Sequence, residues 1–329
     1  MRALISGGCG FIGHHVVNHF LKNTDCDIIV IDKLSYASSG FDRLRDIDCY
    51  DDKRVLKLTA DFSRTLEPGI IKEIQSVDYI LHLGAETHVD NSIKDPEPFV
   101  NSNVVGTMHM LNFARTVKDL KMFIMFSTDE VYGPAPEGVN FKEIDRYNSA
   151  NPYAASKAGA EQLSLAYANT YKVPVIVTNT MNCYGQRCGI EKFIPMTMRK
   201  IWLGEEVIIH ANKDLTKAGS RFYIHARNIA AALLFLMENG KFRESYNIVG
   251  EKEVDNLQLA QMIADILGKP LHYKMVDFHS SRPGHDLRYG LDGTKLKTMG
   301  FKYPKTFEES FVENVEWHFK KENMRWLNL

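Results

Sequence analysis

Along the first half of the chain, apolar residues fall in short unbroken runs, most of them closed by glycine or a polar residue. Such runs read as strands buried on both faces of a parallel sheet. Arg2–Ser6, Asp27–Ile31, Leu56–Ala60, Tyr79–Leu83, Lys121–Phe126 and Val173–Thr178 fit this pattern. Helical stretches alternate with them at His14–Lys22, at Val104–Val117 and around Tyr153. Repeated strand, turn and helix predicts an α/β fold with a Rossmann-type doubly wound parallel sheet. Beyond Thr178 the pattern loosens, with an irregular polar stretch at Asn179–Gly185, a helix at Ile194–Leu203, a short strand at Val207–His210 and a loop at Lys213–Ser220. A strongly apolar helix (Asn228–Asn239), a core strand (Ser245–Val249), a helix stopped by Gly268 (Leu257–Leu267) and an amphipathic tail helix (Thr306–Lys321) complete the pattern. No repeat or low-complexity linker separates the parts. The expected division is therefore interleaved, with 1–178 plus about 219–250 forming the sheet domain and about 179–218 plus 251–329 a smaller C-terminal lobe.

Composition narrows the partners. The 329 residues are 44% hydrophobic and 25% charged, enough to bury a full core. Forty Lys and Arg nearly balance 41 Asp and Glu, so there is no global field to draw in nucleic acid or an anionic membrane, and any anion must be held locally. The longest apolar run, Ala230–Met237, is too short to cross a bilayer, and Met1 and Arg2 lead straight into a strand without a signal-peptide core, which predicts a cytoplasmic protein. Five cysteines (Cys9, Cys26, Cys49, Cys183, Cys188) lack disulfide or metal-site spacing and read as reduced thiols, so no metal is expected.

Chemistry concentrates at the strand ends. The turn Gly7-Gly8-Cys9-Gly10-Phe11-Ile12-Gly13 follows a strand and opens a helix, where bare backbone N–H groups and the helix dipole can hold a pyrophosphate. Asp32 stands about 20 residues on, placed to accept from ribose hydroxyls and to repel a 2′-phosphate, which favours NAD over NADP. Lys33 beside it softens that preference. Asp61 ends the third strand, where it could cap a helix or meet the adenine, and Gly84 with Ala85 lets backbone approach the cofactor. Asp129 and Glu130 are consecutive carboxylates at a strand end, where proximity would drive their pKa values apart and leave one an acid and the other a base. Tyr153 and Lys157, four apart, share a helix face, and a nearby ammonium would favour the phenolate.

The chain resembles the extended short-chain dehydrogenases/reductases that act on nucleotide sugars, and more closely the dTDP-glucose 4,6-dehydratases. The motifs run over nearly the whole length in order: GGCGFIG, DKLSYA, Thr87 to Ile93, STDEVYG, NPYAASKAGAE, NCYG, EKFIP, RFYIHA, YNIVG and RPGHD. The resemblance implies that Tyr153, helped by Lys157 and Thr128, takes the proton of the sugar 4-hydroxyl while hydride passes to NAD. Glu130 would then remove the acidified C5 proton, Asp129 would protonate the departing 6-hydroxyl, and hydride would return to C6. It also implies cofactor contacts at Phe62, Leu83 and Asn103 besides those above. Sugar or diphosphate contacts would come from His88, Asn182, Lys192, Arg221, Asn247, Arg282 and His285. A homodimer built through a bundle of helices is the implied assembly. Ser38 and Ser39, Gly84, Ile190 and the RFYIHA segment depart from the family's usual residues, the last two near the nucleotide, so uridine and thymidine stay undivided. A nucleotide-sugar epimerase or decarboxylase, and a non-catalytic NAD-binding module, are the competing readings.

Overall fold

The computed structural model describes residues 1–278 and 287–329. β1 (Arg2–Ser6) passes through the glycine turn into α1 (Phe11–Asn23). There follow β2 (Asp27–Asp32), α2 (Asp42–Asp46), β3 (Val55–Thr59), α3 (Pro68–Ile74), β4 (Tyr79–His82), α4 (Val89–Lys94) and α5 (Glu97–Phe99). A π-helical stretch, Val100–Val105, runs into α6 (Gly106–Ala114), and β5 (Met122–Thr128) leads by a 3-10 turn, Asp129–Tyr132, towards α7 (Pro152–Tyr171) and β6 (Val175–Thr180). Next come β7 (Cys183–Tyr184), α8 (Phe193–Leu203), β8 (Val207–Ala211), β9 (Ser220–Phe222), β10 (Ile224–His225), α9 (Ala226–Asn239), β11 (Ser245–Ile248), β12 (Glu253–Asp255), α10 (Asn256–Leu267) and β13 (Tyr273–Asp277). Two further helices are Thr294–Thr298 and Phe307–His318, the latter opened by a Thr306–Glu309 capping box.

Seven strands make one parallel sheet in the order β11-β6-β5-β4-β1-β2-β3, the Rossmann-type architecture that the runs predicted. All seven residues of β5 are buried, because helices cover both faces. One face packs Ala3, Ile5, Ile28, Val30 and Ile124 beneath α1 and α9. The other packs Leu4, Ile29, Phe123 and Met125 beneath α6 and α7. A separate core unites Ile194, Met198, Val207, Ile209, Leu259, Ile263 and Phe311 in the C-terminal part. Strand order reverses between β1 and β4, and at such a switch the carboxyl ends of the strands splay into a ligand crevice.

The helix predicted over Val104–Val117 begins earlier, in the π-helical stretch, and stops at Ala114. Ser220 opens β9 instead of ending a loop. The helices α2 to α5 and the strands β7, β9, β10, β12 and β13 leave no mark in the sequence pattern, since most are too short for a period to show and the small sheets pair segments distant in sequence, as β13 does with β8.

Candidate active site

A single cleft crosses the carboxyl ends of β1, β2, β4, β5 and β6. Its floor is the glycine turn. Gly7 sits at φ +71°, and a Cβ on Gly13 would lie 2.1 Å from Gly7 O and 2.7 Å from Gly8 Cα. Only bare backbone packs this tightly against the first turn of α1, so the cradle fits a dinucleotide pyrophosphate. Gly7, Gly10, Phe11, Ile12, Gly13, Asp32, Lys33, Phe62, Leu83 and Ala85 all line it. Asp32 accepts from Cys9 N (3.1 Å) and Leu34 N (2.8 Å), and burial raises its pKa against the pull of those bonds. Lys33 is paired with Glu86 at 2.6 Å, which occupies the ammonium expected to tolerate a phosphate.

Thr128 closes β5, and its hydroxyl donates to Asp129 Oδ1 (2.9 Å) while accepting from Glu130 N (3.4 Å). Asp129 is 4% exposed, and its Oδ2 has no hydrogen-bond partner among the described residues. Burial first, and the Glu130 charge second, lift its pKa to about 7. A carboxyl so placed is protonated below neutrality and can donate a proton. Glu130 Oε2 accepts from Asn151 Nδ2 (3.0 Å), while Asn151 Oδ1 accepts from Ala154 N (2.8 Å) as the N-cap of α7. One asparagine therefore ties the second carboxylate to the helix carrying the phenol. Tyr153 N donates to Ser92 Oγ (3.1 Å), which fixes that helix start against α4. Thr128, Asp129, Glu130, Tyr153 and Lys157 all face the cleft.

The phenolate expectation needs correction. Burial, then Glu130 and Asp129, push the Tyr153 pKa well above the usual tyrosine range, and a hydrogen bond with the Thr128 side chain only partly offsets this. The Lys157 ammonium donates to Phe126 O (2.7 Å). Burial also lowers Lys157 itself, to about 8.

Several other expected site residues lie outside the cleft lining. Asn103 is buried behind the wall, with Oδ1 accepting from Glu86 N (2.8 Å) and Nδ2 donating to Glu86 O (3.0 Å) and Ser156 Oγ (2.9 Å); it clamps the loop after β4 to α7 and does not line the cleft. Asp61 is exposed, caps no helix and accepts from Ser63 N (2.9 Å). His88 caps α4, accepting from Asn91 N at 3.4 Å, and its neighbour Thr87 lines the cleft in its stead. Asn247 is fully buried and donates to Phe141 O (3.0 Å) and Asp292 O (3.1 Å), so its amide ties loops together away from the cleft lining. Arg221 donates to Ser220 O and Leu287 O (2.7 Å each) and stacks on Tyr289, although its charge still reaches Asp129. Asn182 and Lys192 do line the cleft. Arg282 and His285 fall outside the described residues.

Some cleft-lining groups escaped the sequence reading. Arg43, Met181 and Glu191 face the cleft from a short helix and two loops that carry no periodic signal. Among the described residues no cluster of metal-ligating side chains occurs, and no helix is long and apolar enough to cross a membrane.

Residues 4–313 match the family model described as GDP-mannose 4,6 dehydratase. The dTDP-glucose 4,6-dehydratase of Salmonella typhimurium is 36% identical, over 100% of this chain and 95% of that protein. The structure is similar to that of the dTDP-glucose 4,6-dehydratase DesIV of Streptomyces venezuelae, solved with NAD bound, at TM-score 0.88 and 31% identity, covering 99% of this chain and 98% of that one. The UDP-glucuronic acid 4-epimerase of Bacillus cereus shares the fold at TM-score 0.85 and 22% identity, over 96% and 98% of the two chains.

Proposed function

The chain belongs to the GDP-mannose 4,6 dehydratase family, and from that premise we propose that it is an NAD-dependent lyase. Its substrate would be dTDP-glucose, or UDP-glucose, and its product the 4-keto-6-deoxy sugar nucleotide. One observation carries the reading beyond shared fold: Asp129, buried and titrating near 7, lies next in sequence to Glu130, and both face the cleft that Tyr153 enters. An epimerase that only inverts a carbinol has no water to expel and no use for such a pair.

Loss of water across C5 and C6 is slow without a carbonyl to delocalise the carbanion. NAD, when bound, would supply reversible hydride acceptance, and its oxidised form would bring a positive charge that offsets the cost of a buried Tyr153 anion. The Gly7 to Gly13 cradle and Asp32 would hold it. Tyr153 takes the 4-hydroxyl proton, with Thr128 hydrogen-bonded at the same phenol. Once C4 is a ketone, Glu130 removes the acidified C5 proton, and Asp129, carrying its proton below about 7, delivers it to the departing 6-hydroxyl. Asn182 and Lys192, on the far wall, are the polar groups placed to meet the nucleotide-sugar.

We assign 1–178 with about 219–250 to the cofactor and the remainder to the substrate, and we place the enzyme in the cytosol as a homodimer. Incubation with dTDP-glucose and with UDP-glucose, followed by mass spectrometry, tests the activity. Loss of one water from either supports it, with the faster substrate naming the base; intact sugar nucleotides from a cofactor-loaded protein overturn it.

A further inference from the structure

Four positions past Lys157, on the same face of α7, Glu161 is fully buried. Three donors from three different elements converge on its carboxyl group: the Ser127 hydroxyl at the end of β5, the Tyr147 hydroxyl ahead of α7, and Asn179 Nδ2 of β6 at 2.9 Å. Asn179 Nδ2 can only donate and both hydroxyls are free to donate as well, so the carboxylate form is satisfied as it stands. Burial raises the Glu161 pKa to about 7 against the pull of those donors and of Lys157.

Lys157 has the complementary problem. Burial disfavours its ammonium, the hydrogen bond to Phe126 O satisfies one of its three protons, and among the described residues Glu161 is the charge that favours its ionised form. His82 of β4, also near Lys157, offers no countercharge, being held neutral with a pKa of about 3 by its own burial and by Lys157. Tyr153 in turn faces Glu130 and Asp129, with Glu161 adding to the same repulsion from farther along the helix. Tyr132, from the 3-10 turn, packs edge-on against Tyr147 at 5.2 Å and is held protonated by burial and by Glu161.

We propose that Glu161 is a positioning residue, the buried countercharge that keeps Lys157 an ammonium and so sets the pH window in which Tyr153 exchanges its proton with the substrate. This rests on the reading of Tyr153 as the C4 base. The direction of the effect follows from the signs. Without the Glu161 charge, Lys157 deprotonates at lower pH and Tyr153, relieved of an anion, ionises at lower pH. Both limbs of the rate profile then move the same way.

The test is the pH dependence of C4 oxidation, followed as NADH absorbance in single turnovers with dTDP-glucose. Glu161→Gln is expected to shift the whole profile acidward by about one unit. Glu161→Asp restores the charge and returns the profile most of the way. Tyr147→Phe, which removes one donor and so favours the protonated carboxyl, shifts it in the same direction by less, and it carries the test if Glu161→Gln fails to fold. Independently of turnover, 13C NMR of lysine-labelled protein, with the Lys157 signal assigned by its loss in Lys157→Met, follows the ammonium directly and is expected to titrate at lower pH in Glu161→Gln. An unmoved profile with a uniform rate loss, together with an unmoved lysine titration, overturns the proposal. A wild-type protein that never oxidises C4 overturns the dehydratase reading instead, and the NMR titration still decides the countercharge.

Discussion

The floor of the cleft and its far wall are built by different means. The floor comes from consecutive chain, 2–33 with the end of β4, and works through backbone: bare glycines, the first turn of α1, and an aspartate anchored by two backbone N–H groups. The wall brings together segments far apart in sequence, and behind it polar side chains are committed to carbonyls, as Arg221 is to residues 220 and 287 and Asn247 to residues 141 and 292. Between them stands the β5 end, where burial itself supplies the chemistry. Grip on the cofactor should therefore be sensitive to a single methyl group, catalysis to single proton-carrying atoms, and the wall largely to folding energy.

The sharpest break of that comparison is at the β5 end. Tyr153→Phe removes the proton acceptor at C4, and turnover measured by ketosugar formation should fall by up to about 10⁴-fold, with NAD still bound. Glu130→Gln should reduce water loss by roughly 10²–10⁴-fold while C4 oxidation survives, read as NADH formed without release of product. On the floor, Gly13→Ala would drive a methyl group to 2.1 Å from Gly7 O, and the purified protein should lose most of its NAD, measured by release on denaturation.

Asp129 gives a milder, graded test. Its raised pKa leaves the proton in place below about 7 and removes it above, so the elimination rate should fall as pH rises through that value, by about tenfold per unit at the steepest. Asp129→Asn should be slow at all pH values and lack that limb. The smallest effect belongs to the packing behind the wall. Asn247→Ala removes two buried hydrogen bonds and should cost about 1–3 kcal/mol in urea unfolding, with little change in KM for the sugar nucleotide.

The same contrast explains what the chain made legible. Strands buried on both faces announce themselves as unbroken apolar runs, and a glycine turn sits where strand meets helix, so the sheet and the floor could be read residue by residue. The pair at 129 and 130 was legible because a strand end has to precede it. Asn103 and Asn247 misled because their partners are backbone carbonyls and N–H groups, which no side-chain pattern encodes. At Tyr153 the spacing to Lys157 was legible, whereas the burial that raises the phenol's pKa was not, since burial depends on segments distant in sequence. Glu161 shares the helix face of Tyr153 and Lys157 yet drew no role from the sequence, because the groups gathered around it come from three other segments.

The claim that a transient C4 ketone drives elimination by Asp129 and Glu130 is tested most directly with dTDP-glucose deuterated at C4. The account predicts a product lighter by one water whose deuterium has moved to C6 and whose C5 hydrogen comes from solvent. Deuterium remaining on C4, or loss of water with no label at C6, would contradict it.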